Sequence, residues 1–158
     1  MFITKDLTVA ELLKTSDFCD TILVGGEGGL CNVITWVHPL EIVRDAHIWI
    51  DEGVLILCSA VGINKEDELT NFFRELLYKK ISCFCLQINF NIDCVPPEMI
   101  DLANKHNCPL IVFSRWLRFM DMIQHIVPLL LENTSQYLVQ EMHQLSMGNW
   151  VIDWLEGR

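Results

Sequence analysis

Cationic side chains are scarce in this sequence: 11 Lys and Arg stand against 21 Asp and Glu in 158 residues, a formal charge of −10. The deficit holds along the whole chain, with three against nine in residues 1–60, five against seven in 61–110 and three against five in 111–158. Affinity for duplex nucleic acid comes largely from cationic contacts to phosphate, so we expect no direct nucleic-acid contact by this domain. Long apolar runs are missing too. The hydrophobic stretches fall well short of the roughly 20 residues that span a bilayer, and no cationic start leads into a secretory apolar segment. The expectation is a cytoplasmic chain with no membrane contact.

Proline (5) and glycine (8) are few, and no repeat or low-complexity tract occurs, which excludes collagen-like and solenoid architectures. Disorder is excluded from the other side, because apolar residues make up 51% and charged residues only 20%. The length suits one compact domain at roughly 150 residues per domain, with room for a terminal helical extension. Cysteine is present as an odd set of seven, Cys19, Cys31, Cys58, Cys83, Cys85, Cys94 and Cys108, most of them among apolar neighbours. That pattern reads as reduced core thiols of a cytosolic protein. Cys83 and Cys85 have Cys-x-Cys spacing, not the paired Cys-x₂-Cys arms of a structural zinc site, so neither metal nor cofactor is expected.

Periodicity supplies the elements. Thr8 caps a short helix carrying Leu12 and Leu13, with Glu11 placed as its capping-box partner. Thr21–Val24 and Val33–Val37 read as strands joined across the glycine cluster 25–29, and residues 40–52 stay ambiguous. From Gly53 the pattern sharpens to strand 53–58, helix with a stripe at Leu69, Phe72, Phe73, Leu76 and Leu77, strand 83–88, helix from Pro96 or Pro97, and strand 110–113. Asn64 is expected to cap the first of these helices. Strands apolar on both faces and separated by crossover helices predict an α/β fold, with a predominantly parallel sheet covered by helices. Leu117, Met120, Ile123, Val127 and Leu130 then predict an amphipathic helix that Pro128 kinks, splits or restarts. Trp36 and Trp49 read as core aromatics.

Chemistry is thinner. The cluster Gly25–Gly29 has no following Gly-Lys-Ser/Thr, and the third glycine of a dinucleotide fingerprint falls on Cys31, so a structural turn is favoured over an anion nest. Ser59 is not in a Gly-x-Ser-x-Gly elbow, and no Cys–His signature pairs a nucleophile with a base, so no catalytic residue is assigned and no enzyme is expected. Ligand contact is expected instead at strand-end loops, from His38 and Glu41 on one loop and Ser59 and Asn64 on another. Each has a bland alternative. His38 and Glu41 can simply fix a loop, Ser59 can shape a turn, and Asn64 can cap a helix. Arg44 can pair with an acidic ligand but reads as a solvated or locally salt-bridged arginine, and Arg115 and Arg118 supply too little charge for a nucleic-acid groove.

Taken together, Leu7-Thr8-Val9-x-Glu11-Leu12-Leu13, Val24-Gly25-Gly26-x-Gly28-Gly29-Leu30, Val33-x-x-Trp36-Val37-His38-Pro39-x-Glu41, Trp49 and Gly53-Val54-Leu55-Ile56-Leu57 carry a resemblance. Over about residues 5–125 the chain resembles the N-terminal domain of the purine-catabolism regulator family of bacterial transcription factors. The family's Asp-Arg pair after Gly-Leu is replaced by Cys31-Asn32, and its Thr-Thr-Gly ending by Cys58–Gly62, so a purine ligand is not carried over. The resemblance implies an input domain at 1–127, sensing a small metabolite, followed by central and DNA-binding domains of a full-length regulator. Residues 128–158 are expected to form a helical linker or dimerisation extension, pairing two copies through Leu138, Met142, Leu145, Trp150 and Trp154. An assembly domain without a ligand, or a small α/β enzyme acting on a polar metabolite, are the alternatives.

Overall fold

A computed structural model describes residues 6–40 and 50–144, with side chains to Glu132. Three strands form its centre, β3 (Val54–Cys58), β4 (Cys83–Gln87) and β5 (Leu110–Phe113), and every residue of them is buried. Strands covered on both faces require this apolar composition. The crossovers are α2 (Glu66–Tyr78) and α3 (Pro97–His106). The five-stranded sheet has the order β1-β5-β4-β3-β2, with β1 (Ile22–Gly25) and β2 (Trp36–Leu40) at its edges. Strands β2 to β5 run parallel, and β1 runs antiparallel to β5. The α/β class and the mostly parallel sheet agree with the sequence pattern.

Alternation along the strands divides the core into two layers. Ile56, Cys58, Phe84, Leu86 and Leu110 face α2 and α3, where Leu69, Phe73, Leu76, Met99 and Ala103 close against them. Leu55, Leu57, Cys83, Cys85, Ile111 and Phe113 face the other side, covered by α1 (Val9–Leu13), the 3₁₀ turn Ser16–Phe18 and α4 (Phe119–Gln144). Tilted aromatic pairs anchor each layer, Phe73 with Phe84 at 5.1 Å and Phe18 with Phe113 at 5.8 Å between centroids. Thr8 caps α1 as expected, its Oγ1 accepting from the Glu11 N–H at 3.3 Å.

The edge strands depart from the sequence pattern. Residues 21–24 and 33–37 read as strands joined across the glycine cluster, and β1 and β2 lie on opposite edges of the sheet. The second strand also begins later, at Trp36, while Val33 keeps an isolated bridge to Thr8. Local patterning cannot see either partner, because both are donated by β3 and β5, far along the chain. Trp36, expected in the core, stands on the edge strand 46% exposed. Trp49, Arg44 and most of the ambiguous 40–52 stretch lie outside the described residues.

Helix ends differ in detail. Lys65, not Asn64, is the N-cap of α2 and makes no side-chain cap bond, while the Asn64 N–H donates to Glu68 Oε2 at 3.4 Å. α4 continues through Pro128 as one helix. Phe119, Met122, Ile126 and Leu130 are buried on both sides of the proline at spacings of three and four, so packing offsets the helix bond that proline removes. Met120, expected in that stripe, is exposed, whereas Ile123 and Val127 flank the buried face. α4 forms the C-terminal helical extension and begins within the α/β layer itself. No described helix is long and apolar enough to cross a membrane.

Candidate functional site

The carboxyl ends of β2, β3, β4 and β5 share one edge of the sheet, and the loops that leave them form its rim. β3 ends at Cys58, and the next residue, Ser59, donates its N–H to the Leu40 carbonyl at the end of β2, 3.3 Å away. The loop after β4 closes on the same point, with Asn91 Nδ2 donating to the Ser59 carbonyl at 2.7 Å. Farther along, Gln87 Nε2 reaches the Arg115 carbonyl at 3.4 Å, joining the β4 and β5 exits. The strand exits are thus joined by a backbone bond and by the amide side chains of Asn91 and Gln87.

Two features of this rim are energetically unfavourable. The Ser59 Oγ is buried with no hydrogen-bond partner among the described residues. Ala60, fully buried, holds φ at +58°, a left-handed conformation that a residue with a Cβ adopts only at a cost. An orphaned buried hydroxyl costs about 1–3 kcal/mol relative to a satisfied one. Strain and an unsatisfied group, side by side at a strand exit, are what a ligand could relieve. The α2 N-terminus beside them begins Glu66-Asp67-Glu68, which suits the helix dipole and makes the lip acidic.

The expected site residues are only partly brought together. Ser59 lies on the rim and Asn64 follows it, exposed, just before α2. His38 is inside β2 instead of after it, opposite Ile56 and two residues short of the strand end. Strand alternation places it on the α2 and α3 face, half-buried, and no described hydrogen bond links it to Ser59 or Asn64. Glu41 lies outside the described residues, as do Leu145, Trp150 and Trp154. Leu138 and Met142 fall on the described backbone of α4.

Topology sets what kind of crevice this end of the sheet can hold. From β3 through α2 and β4 to α3 and β5 the chain steps in one direction, and both helices cover the same face. Doubly wound sheets open a ligand crevice where successive crossovers leave to opposite faces, and no such switch occurs between β3 and β5. A groove of about 660 Å³ lies at the opposite, amino edge, lined by residues that include Asn32, Glu52, Tyr78, Lys80, Ser82 and His106. Sequence reading missed it. Residue type gave no signal of it, because the left-handed turn at Lys80 that shapes its lip is not written in the sequence.

Thiol chemistry is quiet. Burial pushes the Cys58 thiol up to about 12, and it pushes Cys83 and Cys108 up as well. Exposed Cys94 is raised by the Glu66 carboxylate, 3.6 Å from its sulfur. All four thiols are held away from the reactive thiolate form at neutral pH. Among the described residues no group of three or more His, Cys, Asp or Glu side chains is placed to hold a metal ion.

The glycine cluster acts as a turn. Gly26 has φ +75°, its N–H donates to Asn104 Oδ1 at 2.8 Å, and the Gly29 N–H returns to the Gly26 carbonyl at 2.9 Å. Donors engaged in this way are not available to an anion. A search among curated proteins finds no match. The purine catabolism regulatory protein-like family profile matches residues 11–130, the span that holds the glycine turn, the sheet with its α2 and α3 layer, and the docked half of α4. The chain belongs to the purine catabolism regulatory protein-like family.

Proposed function

We propose that this chain is the N-terminal input domain of a transcriptional regulator, receiving a small metabolite at the carboxyl-edge rim and passing the signal through α4. Family membership supports the regulatory role. The observation that carries the ligand site is the buried Ser59 Oγ, without a partner among the described residues, next to left-handed Ala60. Ser59 and Asn64 are the described contacts in this reading, with His38 acting from within β2 and Glu41, which follows that strand in the sequence, completing the set. The domain does not read DNA, a role left to a downstream module, and its −10 charge agrees with that. It has no catalytic activity of its own.

In this reading two copies pair through the extension formed by the latter part of α4 and the residues after it. Met120 and Leu131 are exposed on α4, and Val127, half-buried at the margin of its buried face, lies between them. In the sequence, Leu138 and Met142 continue the same spacing. Native mass spectrometry against a cytoplasmic metabolite extract tests the site. Saturable retention of a small molecule, lost in Ser59→Ala, supports it, and retention unchanged in that variant contradicts it. Light scattering tests pairing: a dimer that Leu138→Glu converts to monomer is expected, and a monomeric parent chain contradicts it.

A further inference from the structure

The amino-edge groove lies at the end of the sheet opposite Ser59, and its walls are built from the starts of β3 and β4 and the ends of α2 and α3. Both helices finish there in left-handed residues. Asn107 holds φ +50° after α3, a conformation that Asn tolerates well, but Lys80 holds φ +57° after α2, where glycine would be free of strain. A lysine in this position roots its side chain at the lip of the groove. The Lys80 carbonyl accepts from the Gly53 N–H at 2.9 Å, so Glu52 is carried on the adjoining backbone.

Lys80 and Glu52 nonetheless form no ion pair with each other or with any other described residue, and both are exposed at the groove. Opposite charges set close together and left unpaired are complementary to a ligand that carries both signs. Between them the wall is apolar, from Val33, Leu77, Tyr78 and Ile81, and Tyr78 exposes most of its ring. Neutral groups complete the set. Asn32 Nδ2 is engaged with the Ser82 and Asn107 carbonyls at 3.1 and 3.0 Å, which leaves its Oδ1 as an acceptor. Ser82 Oγ is buried at the groove without an oxygen or nitrogen partner, and its polar influence falls on the neighbouring Cys83 thiol.

We propose that this groove binds a small zwitterion of the α-amino acid class, its carboxylate on Lys80, its ammonium on Glu52 and its apolar side chain along Val33, Tyr78 and Ile81. The site is distinct from the Ser59 rim, and the two are separated by the length of the strands.

Two-dimensional amide NMR on the whole chain tests it, titrating each of the twenty standard L-amino acids singly. At least one apolar member is expected to give saturable shifts at residues 32–35, 52–53, 80–82 and 106–108. Its amide, which lacks the carboxylate, and its N-acetyl derivative, which lacks the ammonium, should bind at least about tenfold more weakly. Lys80→Gly relaxes the left-handed backbone, so it folds at least as well as the parent, and it should abolish preference for the free acid over the amide. Absence of saturable shifts across the twenty, or unchanged preference in Lys80→Gly, overturns the proposal. Shifts confined to residues 58–64 and 88–93 also overturn it, while supporting the rim as an input site.

Discussion

At Gly26 a β-carbon would lie 2.0 Å from the Cys108 carbonyl oxygen, and at Gly29 it would lie 1.9 Å from that of Asn107. The turn after β1 is therefore pressed against the exit of α3, and the glycines exist to permit that approach. Gly26→Ala combines this clash with a positive φ, and we expect it to destabilise the fold by more than about 2 kcal/mol, read as a lowered urea midpoint. Ser59→Ala acts in the opposite sense without ligand. Removing a partnerless buried hydroxyl should raise stability by about 1 kcal/mol in the same assay; a loss of similar size would show that Ser59 already has a structural bond. The buried thiols set an alkaline limit. Cys58 has a folded pKa above its unfolded one, so its contribution is complete below about pH 9 and is lost as pH rises toward about 12. Near pH 10.5 that loss is about 2 kcal/mol, and urea midpoints at pH 8 and 10.5 should converge in part in Cys58→Ala. The glycine cluster was legible as a turn. The Ser59 orphan and the left-handed Lys80 were not, because neither burial of a single atom nor a backbone angle is written in residue type.

Elements were legible where their own residues decide them. Val54–Cys58 and Leu110–Phe113 are apolar throughout because both their faces are covered, and the helices between them show their buried stripes directly. The edge strands were not legible as to partner, since β1 and β2 separate to opposite edges through contacts with β5 and β3. α4 shows a subtler limit. Its apolar positions fill two faces, and only packing decides that Met122 and Ile126 turn inward while Met120 turns out. Ile126→Ala should cost about 2–5 kcal/mol, and Met120→Ala should cost less than about 0.5 kcal/mol in thermal or urea unfolding. Equal effects would contradict the observed rotation of the helix. Exposed ion pairs add little to this docking. Asp17 and His125 meet at 2.5 Å, tying the Ser16–Phe18 turn to α4, and Asp20 and Arg115 at 3.3 Å, tying the residues after that turn to the segment before α4, and such surface pairs contribute roughly 0–1 kcal/mol each.

For the molecule as a whole, the direction of winding has the widest consequence. Because α2 and α3 cover one face and α1 and α4 the other, the sheet is sealed by helices on both sides, and its accessible features lie at its two ends. At the carboxyl end, Ser59 ties together the exits of β2, β3 and β4. On the far face, α4 begins one short segment after β5, so in the proposed reading it is the route from the rim to a downstream module. A ligand that prefers one arrangement of the rim can shift α4 only through a difference in affinity between two states. Hydrogen exchange followed by mass spectrometry, with and without a cytoplasmic metabolite fraction, reads both ends of that route at once. The account predicts slowed exchange in residues 58–64 and 88–93 together with altered exchange in 131–144; identical exchange in all three segments would contradict it.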